Sequence, residues 1–450
     1  MSVLLGSSGA TVILGSSGGG VVRRGGSSGK TVLQESDFTY LGYYDIDLGG
    51  SFCFGQGLTH RYVGGQLRFL AMGYNSGATF KYPVSEFAAP GSFSSTISTE
   101  TDDWAEPWGT KFGSGNGRYI GMYWDPITET LFGASGVDYP DDAGAVVPYA
   151  MAVSTIASSG VVSSTVGRYG LHADISARRI YGGFVPIPSW FQTAYSTGAY
   201  GVGFGGYTSR MVVGPCSMGP SLYAIADPTS LSDESVFGSG NYKVLADHVS
   251  GTAQDDDWYA TSMTYDRGIR SIASDYTNYM NNGLDYQSLG RAPIAGTDPV
   301  GSWNEAPDTT GRWLWTDSAF QTGVWIDLPT KHGFLIVPSL VTGKVWYQSS
   351  DIYYDGRTAE FQVFNPDHLG ECSTGSRAAY NVKPTNMWRP SWSSLIPNYA
   401  GYGGGSGGTT LETAAACTFD DTTGRLYLRW TFANGTWPYT KDRILCWQVA

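Results

Sequence analysis

The strongest constraint in this sequence is a hairpin that recurs along it. An apolar residue followed by Asp, a short polar turn and an alternating apolar strand appears around Trp124-Asp125, Ala173-Asp174, Tyr265-Asp266, Ile326-Asp327 and Phe419-Asp420. Asp can close such a turn through its own side chain, while the strand beyond alternates between two faces. An earlier copy, running from Tyr62 to Leu67, uses Gly64-Gly65 for the same turn. Each copy predicts a β-hairpin.

The spacing of the copies bears on the architecture. Asp125, Asp174, Asp266, Asp327 and Asp420 are separated by 49, 92, 61 and 93 residues, and Gly64 lies 61 before Asp125, so two gaps are close to twice 46. A second pair of segments agrees: Leu222 to Leu231, containing Asp227-Pro228, matches Phe361 to Leu369, containing Asn365-Pro366, and the prolines are 138 residues apart. Repeats of this length, with several short strands and Gly-rich turns each, indicate a β-propeller of four-stranded blades. Residues 36–450 would supply about seven blades, with six to eight compatible with the uneven insertions. The competing arrangement is a β-sandwich or β-domains in tandem, but no Pro/Ser/Thr linker divides residues 36–440. The ring is expected to close by pairing Phe38-Thr39-Tyr40-Leu41 with a blade containing Arg425 to Trp430 and Ile444 to Val449, which hides two strand edges.

The Asp-turn hairpins, such as Phe419-Asp420 to Leu428, resemble blades of the broad β-propeller superfamily from about residue 36 to the end. They lack the Gly-His and Trp-Asp signature of WD40 blades and the paired glycines of kelch repeats. The resemblance therefore implies a fold and no particular activity.

Composition agrees with an all-β body. There are 29 Asp to 10 Glu and 19 Arg to 8 Lys, so the turn former outnumbers its helix-forming counterpart. Gly is 62 of 450 residues, and the 41% hydrophobic content suffices for a large core. A net charge of −12 argues against phosphate-neutralising surfaces, so neither nucleic acid nor membrane is an expected partner. The five cysteines are widely spaced and in no C-x-x-C pattern, which predicts free thiols. The opening MSVLLGSSGATVILGSSGGG has no basic n-region and its apolar runs are cut by Gly, so no Sec signal peptide is expected.

Residues 1–35 read as a separate unit. Three GSSG blocks separate short β-branched runs that cannot form a core alone. The expectation is a strand-forming docking or oligomerisation arm that uses Val3, Leu4, Val12, Ile13, Leu14, Val21 and Val22, set against a flexible leader. Residues 36–450 form the propeller.

Catalytic motifs are missing from the sequence: no H-E-x-x-H, P-loop or EF-hand pattern occurs. The recurrent Asp residues are explained by their turns. His60, His172, His248, His332 and His368 show no ligand spacing and read as turn or surface residues. No catalytic residue and no cofactor is expected; the acidic clusters Asp102-Asp103, Asp141-Asp142 and Asp255 to Asp257 give only a weak case for Ca²⁺.

Binding has better support. Trp104, Trp108, Trp190, Tyr195, Tyr200, Trp388, Trp392 and Tyr402 sit in Gly-rich, irregular stretches, where aromatic rings can stack on sugars or form protein hot spots. The bland alternative for each is packing within or between blades.

A rigid, acidic, Tyr- and Gly-rich β body with a strand-forming arm and no Sec signal resembles tailed-phage virion proteins. The expectation is a non-catalytic virion structural or adhesion protein: a tail, fibre or capsid-decoration component, located on the virion or the extracellular surface. Its arm would contact other virion proteins or identical subunits, and its propeller protein partners or host surface glycans. The alternatives are a carbohydrate-active propeller enzyme, either hydrolase or lyase, and a secreted lectin-like adhesin.

Overall fold

Five of the sheets repeat one pattern, four antiparallel strands in which each pairs with the next. Sheet I contains Leu58–Val63, Gln66–Met72, Val84–Ala88 and Asp102–Trp104; sheet II contains Ile120–Asp125, Thr130–Ser135, Met151–Ile156 and Val162–Leu171. Sheet III contains Ile180–Pro186, Tyr200–Phe204, Ser221–Ile225 and Tyr242–Asp247; sheet IV contains Gln321–Asp327, Lys331–Gln348, Phe361–Phe364 and Pro384–Trp388. Sheet V takes Ala414–Asp420, Arg425–Asn434 and Lys441–Val449 from the C-terminal end and Phe38–Ile46 from the N-terminal side. The computed structural model describes residues 29–48, 57–72, 84–104, 107–108, 120–135, 151–156, 162–171, 180–204, 221–232, 236–237, 240–247, 284–285, 292–293, 303–304, 321–348, 351–379, 382, 384–397, 399, 414–434 and 441–450.

The first strands of the five sheets pack in a cycle: I on II, II on III, III on IV, IV on V, and V back on I. The hydrophobic clusters follow the same cycle, because each strand's alternation leaves a sheet apolar on the faces turned to its neighbours. Leu70 and Met72 meet Met122 and Trp124 between I and II. Phe132 meets Phe184 and Tyr200 between II and III, and Val185 and Leu222 meet Trp325 and Phe334 between III and IV. Leu335 and Phe361 meet Leu426 and Trp447 between IV and V, and Tyr427 and Ile444 meet Phe69 and Phe87 between V and I. The protein is thus a mostly β chain with a propeller-like arrangement of small sheets.

Closure follows the expected pairing. Phe38 lies opposite Val449 and Ile46 opposite Asp442, and Arg425 to Trp430 pair in turn with Gln448 to Arg443. The V/I junction also holds a buried cation. The Arg429 guanidinium, fully buried, donates to Asp442, to the Gly57 carbonyl at 3.1 Å and to the Met72 carbonyl at 2.7 Å. A buried charge kept in this way requires all its partners to be in place.

The hairpins at Gly64, Asp125, Asp327 and Asp420 join the first and second strands of sheets I, II, IV and V. Gly64 and Gly65 have φ of +59° and +81°, the mirror-turn geometry that matches strand twist and that side chains resist. The Leu222 and Phe361 segments are equivalent too. Both are third strands, and each leads into a short helical turn capped by an Asx side chain, Asp227 or Asn365.

Two expectations need correction. Ala173-Asp174 does not join a hairpin, because Val162–Leu171 is the last paired strand of sheet II's meander and Ile180–Pro186 the first strand of sheet III. Residues 172–179 themselves, and Asp266, lie outside the described residues. Seven blades are not confirmed. First strands begin at residues 58, 120, 180, 321 and 414, and sheets III and IV pack directly on one another despite the long chain between them. The 138-residue separation of the two Asx-Pro segments therefore spans one step of the cycle, not three.

Of the arm, residues 1–28 lie outside the described residues, including Val3, Leu4, Val12, Ile13, Leu14, Val21 and Val22. Its last part packs on the body. Thr31–Val32 runs parallel to Lys331 and His332, and Leu33 is fully buried in the IV/V cluster.

Candidate functional site

Where five first strands converge, side chains compete for the axis. At one level small residues recur: Gly57, Gly121, Gly183, Gly323 and Ala416, one from each first strand or its edge, line a void of about 20 Å³ together with larger neighbours such as Leu58, Met122 and Phe184. Further along the same strands the side chains are large and enclose a cavity of about 960 Å³. Its wall takes Tyr62 from sheet I, Tyr123 and Trp124 from II, Phe184 from III, Trp325 from IV and Phe419 from V. Every sheet contributes, so the cavity lies on the axis of the cycle.

Polar groups cluster on the side of sheets I and V. His60 Nδ1 and Thr418 Oγ1 are hydrogen-bonded at 2.8 Å, and His60 Nε2 lies 3.9 Å from Asp420. Burial pushes the His60 pKa below its ordinary value even though Asp420 and Asp421 pull the other way. The imidazole is therefore neutral at pH 7. Asp420 is fully buried and accepts bonds from the Thr422 amide at 3.0 Å, the Tyr62 hydroxyl at 2.7 Å and the Thr423 hydroxyl. Burial raises its pKa, but the bonds from Thr423 and Tyr62 outweigh that and hold the carboxyl below the usual range. Burial and the bond to Asp420 push the Tyr62 phenol up to about 12. Asp125 repeats the pattern in sheet II: it accepts from the Ile127 amide at 2.8 Å and the Thr128 hydroxyl at 2.9 Å, with the Tyr200 hydroxyl at 3.4 Å.

These carboxylates cap turns, as the sequence suggested. They also hold neighbouring sheets together, since Tyr62 and Tyr200 each come from the next sheet in the cycle. Asp327 differs: it pairs with Lys30 at 2.6 Å, which brings the N-terminal segment to the cavity wall.

None of the described side chains among the aromatic residues singled out as ligand-binding candidates lines this cavity. Trp108, Tyr195, Tyr200 and Trp392 are buried, their polar atoms bonded to the Leu131 carbonyl, Asp367, Asp125 and the Ala359 carbonyl respectively. Trp388 packs on Phe38 and Phe361, with ring centroids 5.0 and 5.3 Å away. Half-buried Trp190 stacks on His332 at 5.5 Å. Trp104 is in the last strand of sheet I, and Tyr402 lies outside the described residues. The described rings fill the wedges between sheets, the packing alternative.

The histidines also depart from expectation. His60 is in a first strand and His332 is buried in sheet IV, while His368 lies on the helix Pro366–Ser373; His172 and His248 are outside the described residues. Of the acidic clusters only Asp102-Asp103 is described, in a strand. Among the described residues no group of three or more His, Cys, Asp or Glu is placed to hold a metal ion.

The lining residues carry a signal that the hairpin reading passed over. A small residue sits four positions before the turn Asp in Gly121/Asp125, Gly323/Asp327 and Ala416/Asp420. In these three sheets that residue lies in the first strand, but the spacing alone does not mark such a strand, since Gly170 stands four positions before Asp174 and belongs to the last strand of sheet II.

No protein-family model matches the sequence, and no curated protein matches it significantly. Among solved structures, a member of the DUF4221 family from Bacteroides vulgatus ATCC 8482 aligns over 92% of this chain and 98% of its own, with 8% identity and a TM-score of 0.34. A likeness at that level carries no argument about function.

Proposed function

We propose that this protein is a non-catalytic binding body, a five-bladed propeller that takes a ligand into its axial cavity, with glycans as the ligand class. The observation behind the reading is the state of the carboxylates at that end of the ring. Asp125 and Asp420 already accept bonds from their own turns and from a tyrosine of the next sheet, which gives both a structural role in holding the ring together. Around them the wall includes aromatic side chains, of which Tyr62 is exposed, in a cavity of a size suited to a ligand of a few rings.

The virion or extracellular setting, and an assembly role for residues 1–35, rest on the sequence alone and stand beside this reading as proposals. A glycan array, followed by product analysis on every glycan that binds, tests the core of it. The expected result is binding without cleavage. Cleavage that is lost in Asp420→Asn would replace the binding reading with a glycoside hydrolase, and absence of any glycan ligand would remove glycans as the class.

A further inference from the structure

The outer edges of the sheets follow a rule with one exception. In each sheet the fourth strand is farthest from the axis, and in four of the five a segment belonging to the next sheet in the cycle covers it. Ser95–Ile97, just ahead of the fourth strand of sheet I, pairs in parallel with Phe38–Ile46 of sheet V. Val236–Phe237, just ahead of the fourth strand of sheet III, pairs in parallel with Val162–Leu171 of sheet II. The helix Pro366–Ser373 of sheet IV packs on Tyr242–Asp247 of sheet III. Over Pro384–Trp388 of sheet IV runs the segment that leads into Phe38, held where Asn386 Nδ2 donates to the Leu33 carbonyl at 2.8 Å.

Sheet I is the exception. By the same rule its cover would come from between the third and fourth strands of sheet II, where only residues 157–161 join Ile156 to Val162, against 13 residues at that place in sheet I, 16 in sheet III and 19 in sheet IV. Five residues suffice for a hairpin loop and no more. Among the described residues, Asp102–Trp104 pairs with residues 84–86 on one side and with nothing on the other. A strand edge left in this way is a template for another strand.

We propose that this edge receives the Val21-Val22-Arg23-Arg24 segment of a second copy of the chain, added as a short strand. The strands that cover the equivalent edges of sheets V and II are three and two residues long, so a run as short as Val21-Val22 and its neighbour is long enough. Charge agrees. Two of the three edge residues are Asp, while residues 1–29 hold Arg23 and Arg24 and no acidic residue. The arm of the same copy falls short of the edge. Lys30, six residues from Arg24, is bonded to Asp327 of sheet IV at 2.6 Å, and six residues span about 20 Å at most. Sheet I lies two steps round the cycle at about 10 Å each, and its outer edge is three strand spacings of about 4.8 Å beyond its first strand. The inference rests on the assembly role proposed for residues 1–35, to which it gives a receiving surface, and is independent of what the cavity binds.

Sedimentation velocity on the full chain, on two charge-reversed variants and on their mixture tests this. The unaltered chain is expected to self-associate, and R23E/R24E and D102K/D103K should each weaken that association about tenfold or more. Mixing the two variants should restore it to within about twofold, because each reversed arm then meets a reversed edge. A synthetic peptide of residues 18–28 should dissociate the unaltered chain, which keeps the test open if D102K/D103K fails to fold. A chain that stays monomeric would overturn the second copy as the partner. Association lost in R23E/R24E but unchanged in D102K/D103K would overturn the edge and leave the assembly role of the arm intact. Association unchanged in both variants and insensitive to the peptide would overturn the arm as well, and loss in both without restoration on mixing or any effect of the peptide would overturn their pairing.

Discussion

The Asp125 and Asp420 hairpins are built alike and end differently. In each, the carboxylate takes the amide two residues on and a threonine hydroxyl three residues on, and a tyrosine of the next sheet reaches across to it. The fourth turn residue is Gly424 in one and Glu129 in the other, at φ of +68° and +50°. A side chain in that left-handed region costs about 1–2 kcal/mol, and Gly avoids the cost. Sheet V, which closes the ring, uses the unstrained solution; sheet II accepts strain and gains an exposed carboxylate at the cavity. The pair teaches that one hairpin chemistry can serve closure in one sheet and carry a surface charge in another.

The largest effect should come from removing what stands behind one hairpin only. Deleting residues 443–450 strips the partner of both Arg425–Asn434 and Phe38–Ile46, while the pairing within sheet II is untouched. A loss of about 5 kcal/mol or more is expected, comparable to the whole stability of many domains. Thermal melts of the truncated and full-length chains measure it, and an unchanged melting temperature would mean that sheet V does not close the ring.

Removing each carboxylate compares the hairpins directly. Asp420→Ala leaves the Tyr62 and Thr423 hydroxyls and the Thr422 amide without their acceptor at a fully buried position, so about 2–4 kcal/mol should be lost. Asp125→Ala should cost less, about 1–3 kcal/mol, because the Tyr200 contact is already long at 3.4 Å. Denaturant unfolding of both variants gives the order. Equal losses would show that the cross-sheet tyrosine bond contributes nothing.

These turns were legible because their chemistry is local: an Asp, a Thr and a strand within ten residues carry the whole signal. The closing strand was legible for a related reason, since apolar alternation near Phe38 and near Val449 left two edges needing partners. The blade count was not, because turn spacing cannot separate a sheet from a connection; Asp174 has the same local pattern as Asp125 but falls between sheets II and III. Nor was the cavity, whose wall brings together Tyr62, Trp124, Phe184, Trp325 and Phe419 from five strands far apart in sequence. The buried histidines were missed because burial depends on which sheet packs over a strand, which is a tertiary fact.

A smaller difference between the hairpins should appear in acid. His60 faces Asp420, Asp421, Thr418 and Tyr62, and among the described residues no histidine is bonded to Asp125. Because the folded pKa of His60 is depressed, the unfolded chain binds the proton first, and stability is full above the ordinary histidine value near 6.5. It is lost as pH falls from there through the folded value. The same sign holds for His332 and His368, whose pKa values burial also lowers. His60→Asn should therefore flatten the decline below about pH 6.5 in part. Asp420, with its own depressed pKa, adds a separate loss as the pH falls below the ordinary carboxylate range. Unfolding free energies at a series of pH values test this, and an unaltered slope in His60→Asn would assign the acid sensitivity elsewhere.

The smallest effect is expected from making the two turns identical. Glu129→Gly relieves about 1–2 kcal/mol of left-handed strain, but glycine also gives the unfolded chain freedom worth about 0.4–1 kcal/mol, so the net gain should be about 1 kcal/mol or less. The exchange in the other direction is not symmetric. A Cβ at Gly424 would lie 2.8 Å from Nε2 of the Gln448 side chain and 3.3 Å from the Val449 carbonyl, so Gly424→Ala displaces the Gln448 amide from the Thr423 and Gly424 carbonyls in addition to the backbone strain. It should cost about 1–3 kcal/mol. Denaturation midpoints of the two single variants decide the matter. A loss of stability in Glu129→Gly would mean that the Glu129 side chain makes a stabilising contact, which would remove it from the cavity mouth as a free carboxylate.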